Sequence, residues 1–142
     1  MKRVNTLIFC IFISSANINA QTDLKTIQEI QTALTYYLDG GTNGDSVMFS
    51  KAFIPDGQMR YVRNDTIMNV SLGDFMNRMR NTGVKQNRKT KIESIQVYGN
   101  AATAKLTIEY PTFYFHDIMT LLKTNKGWII TGKIFYREDK QN

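Results

Sequence analysis

The chain has a single histidine, His116, and it stands beside a carboxylate, Asp117, in the otherwise apolar run FYFHDIMTLL. A histidine and a carboxylate that both reach one cavity can relay a proton or hold a polar ligand group. Neighbours on a regular strand point to opposite faces, however, so these two cannot form a dyad from adjacent positions. Asp117 shares its face with Phe113, Phe115, Met119 and Leu121, and His116 shares the other with Tyr114, Ile118, Thr120 and Leu122.

The turn that follows decides which face lies inside. With a four-residue loop, Thr124 to Gly127, Lys123 opposes Trp128, and the Asp117 face aligns with Trp128, Ile130 and Ile134. With a three-residue loop, Asn125 to Gly127, closed by a glycine bulge, the His116 face aligns with them instead. The residues alone leave both registers open. An inward Asp117 could act as a base, bind a polar group, or simply pair with Lys133, Arg137 or a backbone donor. His116 reads more readily as an interface or surface histidine.

Tyr37, Tyr61, Phe75, Met79 and Trp128 are the candidate wall around Asp117. Large amphipathic side chains converging on one carboxylate make the usual ligand pocket, mostly apolar with a few polar anchors; the competing reading for each is ordinary core. Arg60 and Arg63 flank Tyr61, and an arginine turned inward could bind an anion, although a solvated strand edge is the simpler expectation. Arg78, Arg80, Lys85, Arg88, Lys89 and Lys91 fall in fourteen residues without an acid. No aromatic residue interleaves with them, so a solvated loop is expected and nucleic-acid binding is not.

Other chemistry is poorly supplied. The only cysteine, Cys10, lies in the N-terminal apolar segment. One histidine and no further thiol cannot furnish a transition-metal site at the usual ligand spacings. There is no Gly-rich phosphate loop and no Gly-x-Ser-x-Gly elbow. No cofactor and no metal are expected.

Several elements must position these residues. Leu24, Ile27, Ile30, Leu34, Tyr37 and Leu38 form one helical stripe, with Asp23 as expected cap and Asp39-Gly40-Gly41 as expected stop. A short helix is expected over 45–53, ended by Pro55-Asp56-Gly57, and then a strand over 58–63 in which Met59, Tyr61 and Arg63 alternate with Gln58, Arg60 and Val62. Ser71 caps a third helix running to Arg80. Strands follow over 91–97, over 101–110, where Ala102, Ala104, Leu106 and Ile108 share a face, and in the hairpin 113–138. Helices first and antiparallel strands after make an α+β fold with the sheet curled over the long helix. Both faces of the strand bearing Asp117 are apolar, so the outer face needs a cover, and a homodimer through the sheet face is the simplest one.

The first residues read as a leader. Lys2 and Arg3 precede the apolar run Leu7 to Ile13, and Asn17-Ile18-Asn19-Ala20 ends in a small residue. The pattern predicts a signal peptide over 1–20, export to the periplasm or the medium, and no membrane segment in the mature form. Of the 142 residues, 122 then remain as one domain, 21–142, and the net charge falls from +6 to +4 as Lys2 and Arg3 leave.

With these elements in place, AFIPDGQMRYV, SLGDFMNRM, IQVYGNAATAKLTIEY and HDIMTLLKTNKGWIITGKIFYRE resemble the nuclear-transport-factor-2-like superfamily. Within it they are most similar to its secreted "putative lumazine-binding" group. The resemblance spans nearly the whole mature chain. It implies a cone-shaped α+β fold, a curved antiparallel or mixed sheet wrapped around the N-terminal helix, enclosing a pocket and usually dimeric. It also implies that the acidic residue, Asp117, is the inward one. The superfamily hosts enzymes and non-enzymes alike. The paired histidine and carboxylate of its dehydratases cannot be built from one histidine, and the spaced Asp–Arg–Asp set of its epoxide hydrolases is not found. The expected function is a non-catalytic module binding a small apolar or aromatic molecule. The alternatives are a small acid–base enzyme using Asp117, with Tyr61 or Tyr37 as a hydrogen-bond donor, and a protein-interaction module using the sheet face.

Overall fold

The computed structural model describes residues 16–78 and 81–141. Helix α1 (Ala16–Asn43) is followed by a short helix α2 (Ser46–Ser50), strands β1 (Phe53–Arg63) and β2 (Thr66–Ser71), helix α3 (Leu72–Arg78), and strands β3 (Lys89–Tyr98), β4 (Ala101–Glu109), β5 (Phe113–Thr124) and β6 (Gly127–Asp139). The six strands form one curved sheet in the order β2-β1-β6-β5-β4-β3. Only β1 and β6 run parallel; the other neighbours are antiparallel.

Helix α1 buries one stripe, Ile30, Ala33, Leu34, Tyr37 and Leu38, against Ala102, Ala104, Leu106 and Ile108 of β4 and Met119 and Leu121 of β5. The stripe starts later than its periodicity predicts, since Leu24 is 65% exposed. Asp23 is no cap, because the helix already begins at Ala16. Residues 1–15, most of the expected leader, lie outside the described residues, as do Met79 and Arg80. No described helix is long and apolar enough to cross a membrane.

The expected stop at Gly40-Gly41 is also displaced. Both glycines sit inside the helix, and the left-handed residue that ends it is Gly44, at φ +63°. Gly40 serves close approach instead: a Cβ there would lie 2.5 Å from the Phe49 backbone nitrogen. Asp45 caps α2 by accepting from the Met48 amide at 2.8 Å. Ser71 caps α3 as predicted, accepting from the Asp74 amide at 3.0 Å while its hydroxyl donates to the Asp74 carboxylate at 2.7 Å.

Two strand features depart from the sequence expectation. Strand β1 begins at Phe53 and carries Pro55-Asp56-Gly57 within it, as an irregularity between Phe53 and Gln58 in its pairing with β6. Strand β2 was not expected at all. It pairs back on β1 through Asn64 and Asp65, both at positive φ (48° and 58°), the geometry of a two-residue hairpin turn that follows the sheet's twist.

Candidate functional site

The turn between β5 and β6 pairs Thr124 with Gly127 and Lys123 with Trp128, which sets the Asp117 face inward beside Trp128 and Ile130. Asp117 is buried at 1% exposure. His116 lies on the outer face, where its Nε2 meets Glu138 Oε2 at 2.8 Å. The aligned register does not continue to Ile134, however. Leu121 pairs with Ile130 but Thr120 pairs with Gly132, leaving Thr131 as an extra residue in β6. This bulge is held by Thr120 Oγ1 against Thr131 Oγ1 at 3.0 Å and by Thr131 Oγ1 donating to the Thr120 carbonyl at 3.2 Å. Beyond it the faces of β6 exchange: Lys133 and Phe135 turn inward, opposite Met119 and Asp117, and Ile134 turns out.

The exchange brings three polar groups together inside the cone. Tyr37, from the buried stripe of α1, donates its hydroxyl to Asp117 Oδ2 at 2.6 Å. Lys133 Nζ donates to Tyr37 Oη at 2.8 Å and to Asp117 Oδ2 at 3.1 Å. Its ammonium also lies 3.1 Å from Asp117 Oδ1. That second contact is an ion pair without hydrogen-bond geometry, so Oδ1 accepts no hydrogen bond among the described residues. Lys133 further lies 4.5 Å from the centroid of the Phe135 ring, a cation–π contact.

Burial governs the electrostatics of this triad. It raises the Tyr37 phenol well above its usual pKa, and the Asp117 charge and the hydrogen bond to it push the same way. Burial pulls the Lys133 ammonium below its usual pKa, with the Asp117 charge and hydrogen bond opposing.

The triad sits at the floor of a cavity of about 970 Å³ inside the cone. Tyr37 and Lys133 are on its wall, joined by Tyr61, Phe75, Phe115 and Phe135. Tyr61 stacks on Phe135 at 4.7 Å between centroids. Asp117 is not on that wall; a molecule in the cavity meets the lysine and tyrosine that cover the carboxylate. Trp128 packs in the core beside Leu121 and Ile130 and does not reach the cavity. Met79 is outside the described residues.

Two cations of this wall, Lys133 and Arg88, are not among the wall residues that the sequence suggests, although it offers Lys133 as a partner for Asp117, which it is. Lys133 is hidden by the bulge, for which the lone glycine of Thr131-Gly132 inside a strand was the available signal. Arg88 was assigned to a solvated loop, yet it is a built-in part of the cavity. Its Nε donates to Thr42 Oγ1 at 2.9 Å, Nη1 to Tyr110 Oη at 3.0 Å and Nη2 to the Leu38 carbonyl at 2.8 Å. The guanidinium thereby caps the last turn of α1, where a positive charge suits the helix dipole. Gly41 makes room for it: a Cβ there would lie 2.3 Å from Nη2.

A second concavity, of about 610 Å³, opens on the outer face of the sheet among Val62, Ile67, His116, Ile118, Ile134 and Tyr136. Several of these are freely exposed, Ile67 at 73% and Tyr136 at 66%. No group of three or more histidine, cysteine, aspartate or glutamate residues fit to hold a metal ion occurs among the described residues.

Comparison with known proteins adds a family and a fold. The sequence model of a family described as "putative lumazine-binding" matches residues 25–136. A search of curated proteins returns no match. Among solved structures, an NTF2-like protein of unknown function from Shewanella baltica superposes with a TM-score of 0.74 at 23% identity, covering 82% of this chain and 97% of that one. Another NTF2-like protein of unknown function, from Methylobacillus flagellatus, gives 0.68 at 23% identity over 90% and 97%. A ketosteroid isomerase-like protein from Erwinia carotovora gives 0.61 at 13% identity over 78% and 94%. At these identities the structural likenesses speak for the fold alone.

Proposed function

This chain belongs to the family described as "putative lumazine-binding", on the nuclear-transport-factor-2-like fold, and from that premise we propose that it is a non-catalytic binding protein for a small organic molecule. The observation that carries the reading is the cover over the carboxylate: Asp117 is buried at 1% exposure and does not line the cavity. A base must be free to take a proton from its substrate. Here Asp117 is covered by the two groups that bond it, Tyr37 and Lys133. The Tyr37 proton is likewise committed to the carboxylate. What the floor offers a ligand is a fixed polar surface under aromatic walls, in a space within the usual range for small-molecule sites. The acid–base enzyme reading would need Asp117 released from both partners.

The test is native mass spectrometry of the protein as it is expressed in its own host and purified from the cell envelope. A bound small molecule, lost when Phe75→Trp narrows the cavity, is the expected result. A protein that is empty as isolated and stays empty against a panel of aromatic metabolites would contradict the reading.

The same proposal includes export, which rests on the N-terminal leader pattern, and a homodimer packed through the outer sheet face. Val62 pairs with Ile67 and Ile118 with Ile134 across neighbouring strands, so the exposed apolar residues form one band rather than scattered positions. A band of this kind is a common mark of a protein interface. A second copy related by a twofold axis would cover it with the same residues.

A further inference from the structure

The charge on the cavity wall is one-sided. Arg63, Arg88, Lys133 and Arg137 contribute to it and no carboxylate does. Two of these cations are compensated from behind, Lys133 by Asp117 at 3.1 Å and Arg137 by Asp139 at 2.8 Å. Among the described residues, the ion pairs include none to Arg63 or Arg88.

Arg88 is held in one place. A guanidinium has five N–H groups, and three point at Thr42, Tyr110 and Leu38. One N–H on each terminal nitrogen remains for an oxyanion to accept from. The Gly41 clearance and the Tyr110 ring, 5.8 Å from Cζ, fix its position. A flexible arginine on the surface would need neither. Its charge also reaches the floor, where it opposes protonation of Lys133 and favours ionisation of Tyr37. Additional negative charge in the cavity would relieve the first of these.

We propose that the ligand of this cavity is an organic anion, an aromatic body bearing a carboxylate or similar oxyanion, with the anionic group at Arg88 and the rings against Phe75, Phe115 and Phe135. The inference rests on the cavity being a binding site, as proposed above. It adds the ligand's charge and the residue that selects it.

The experiment is calorimetric titration of the full chain with two probes of one shape, 2-naphthoate and 2-naphthamide. The anion is expected to bind at least tenfold more tightly, with an advantage that shrinks as salt is raised. Arg88→Gln is expected to abolish the preference, and Arg88→Lys to keep part of it. Because Arg88 also caps α1, Arg63→Gln serves as a second variant that leaves the helix untouched; it is expected to reduce the preference by a smaller factor. Equal affinity for the two probes would overturn the anion inference and leave the binding reading standing. No binding of either probe at millimolar concentration would overturn both.

Discussion

Tyr37 on the long helix and Asp117 on the fifth strand are 80 residues apart in the chain and share a buried hydrogen bond of 2.6 Å. That bond ties the helix to the sheet inside the cone. Lys133 closes the arrangement by donating to both partners, at 2.8 and 3.1 Å. A buried ion pair adds little over a well-packed apolar pair, but removing one partner leaves an uncompensated charge.

Asp117→Ala is therefore expected to destabilise by about 3–5 kcal/mol, the usual cost of stranding a buried charge. The double variant Asp117→Leu with Lys133→Met should recover most of that loss. Urea unfolding of Asp117→Leu, Lys133→Met and the double variant, beside Asp117→Ala, checks the prediction. Additive losses would show that the pair is not coupled.

The pH dependence follows from the shifted groups. Tyr37 has a raised pKa, so its contribution is fully present below the ordinary phenol value of about 10 and is lost as the pH climbs through the folded value. Lys133 has a lowered pKa, so the unfolded chain holds more protons over the interval beneath its ordinary value of about 10.4, and stability rises with pH there. Stability should thus improve on approaching pH 10 and fall beyond it. Tyr37→Phe should flatten the fall. In absorbance at 295 nm, the difference between wild type and Tyr37→Phe should show no tyrosinate until the protein unfolds.

Two adjacent glycines separate packing from binding. A Cβ at Gly40 would meet the Phe49 backbone at 2.5 Å, which cannot swing aside, whereas one at Gly41 meets only the side-chain end of Arg88, which can shift at the cost of its hydrogen bonds. Gly40→Ala should destabilise by about 2 kcal/mol or more, the scale of overpacking in a fitted contact. Gly41→Ala should leave the melting temperature nearly unchanged, because alanine's better helix propensity offsets lost contacts by about 1 kcal/mol. It should nevertheless weaken 2-naphthoate binding by displacing the guanidinium. Thermal melts and titrations of both variants make the comparison.

The outer face gives a separate prediction. Ile134, 52% exposed and paired with Ile118, is central to the apolar band. Ile134→Glu should convert a dimer to a monomer in light scattering at micromolar concentration, with the circular dichroism spectrum unchanged. A wild-type protein that is already monomeric would remove the homodimer.

What the sequence made legible was whatever a local period records. The alternation of Ala102, Ala104, Leu106 and Ile108, the Ser71 cap and the inward Asp117 all came from such patterns or from the family resemblance they matched. What it hid depended on single residues that break a period. Thr131 shifts β6 by one and turns Lys133 inward, where an unbroken strand would have presented Ile134. Asn64 and Asp65 build a tight turn without glycine, so β2 passed as loop. Arg88 looked like one of many basic loop residues because its partners, Thr42, Leu38 and Tyr110, are distant in sequence. Only the folded arrangement reveals why Gly41 must be small.

The most direct test of the central claim, that the interior of the cone is the binding site, is amide and side-chain NMR of the labelled protein during addition of 2-naphthoate. Saturable shifts at Tyr37, Phe75, Arg88, Tyr110 and Lys133 are predicted, with Ile67, Ile118 and Ile134 unmoved. Shifts confined to the outer sheet face would contradict the claim, as would a spectrum that does not change.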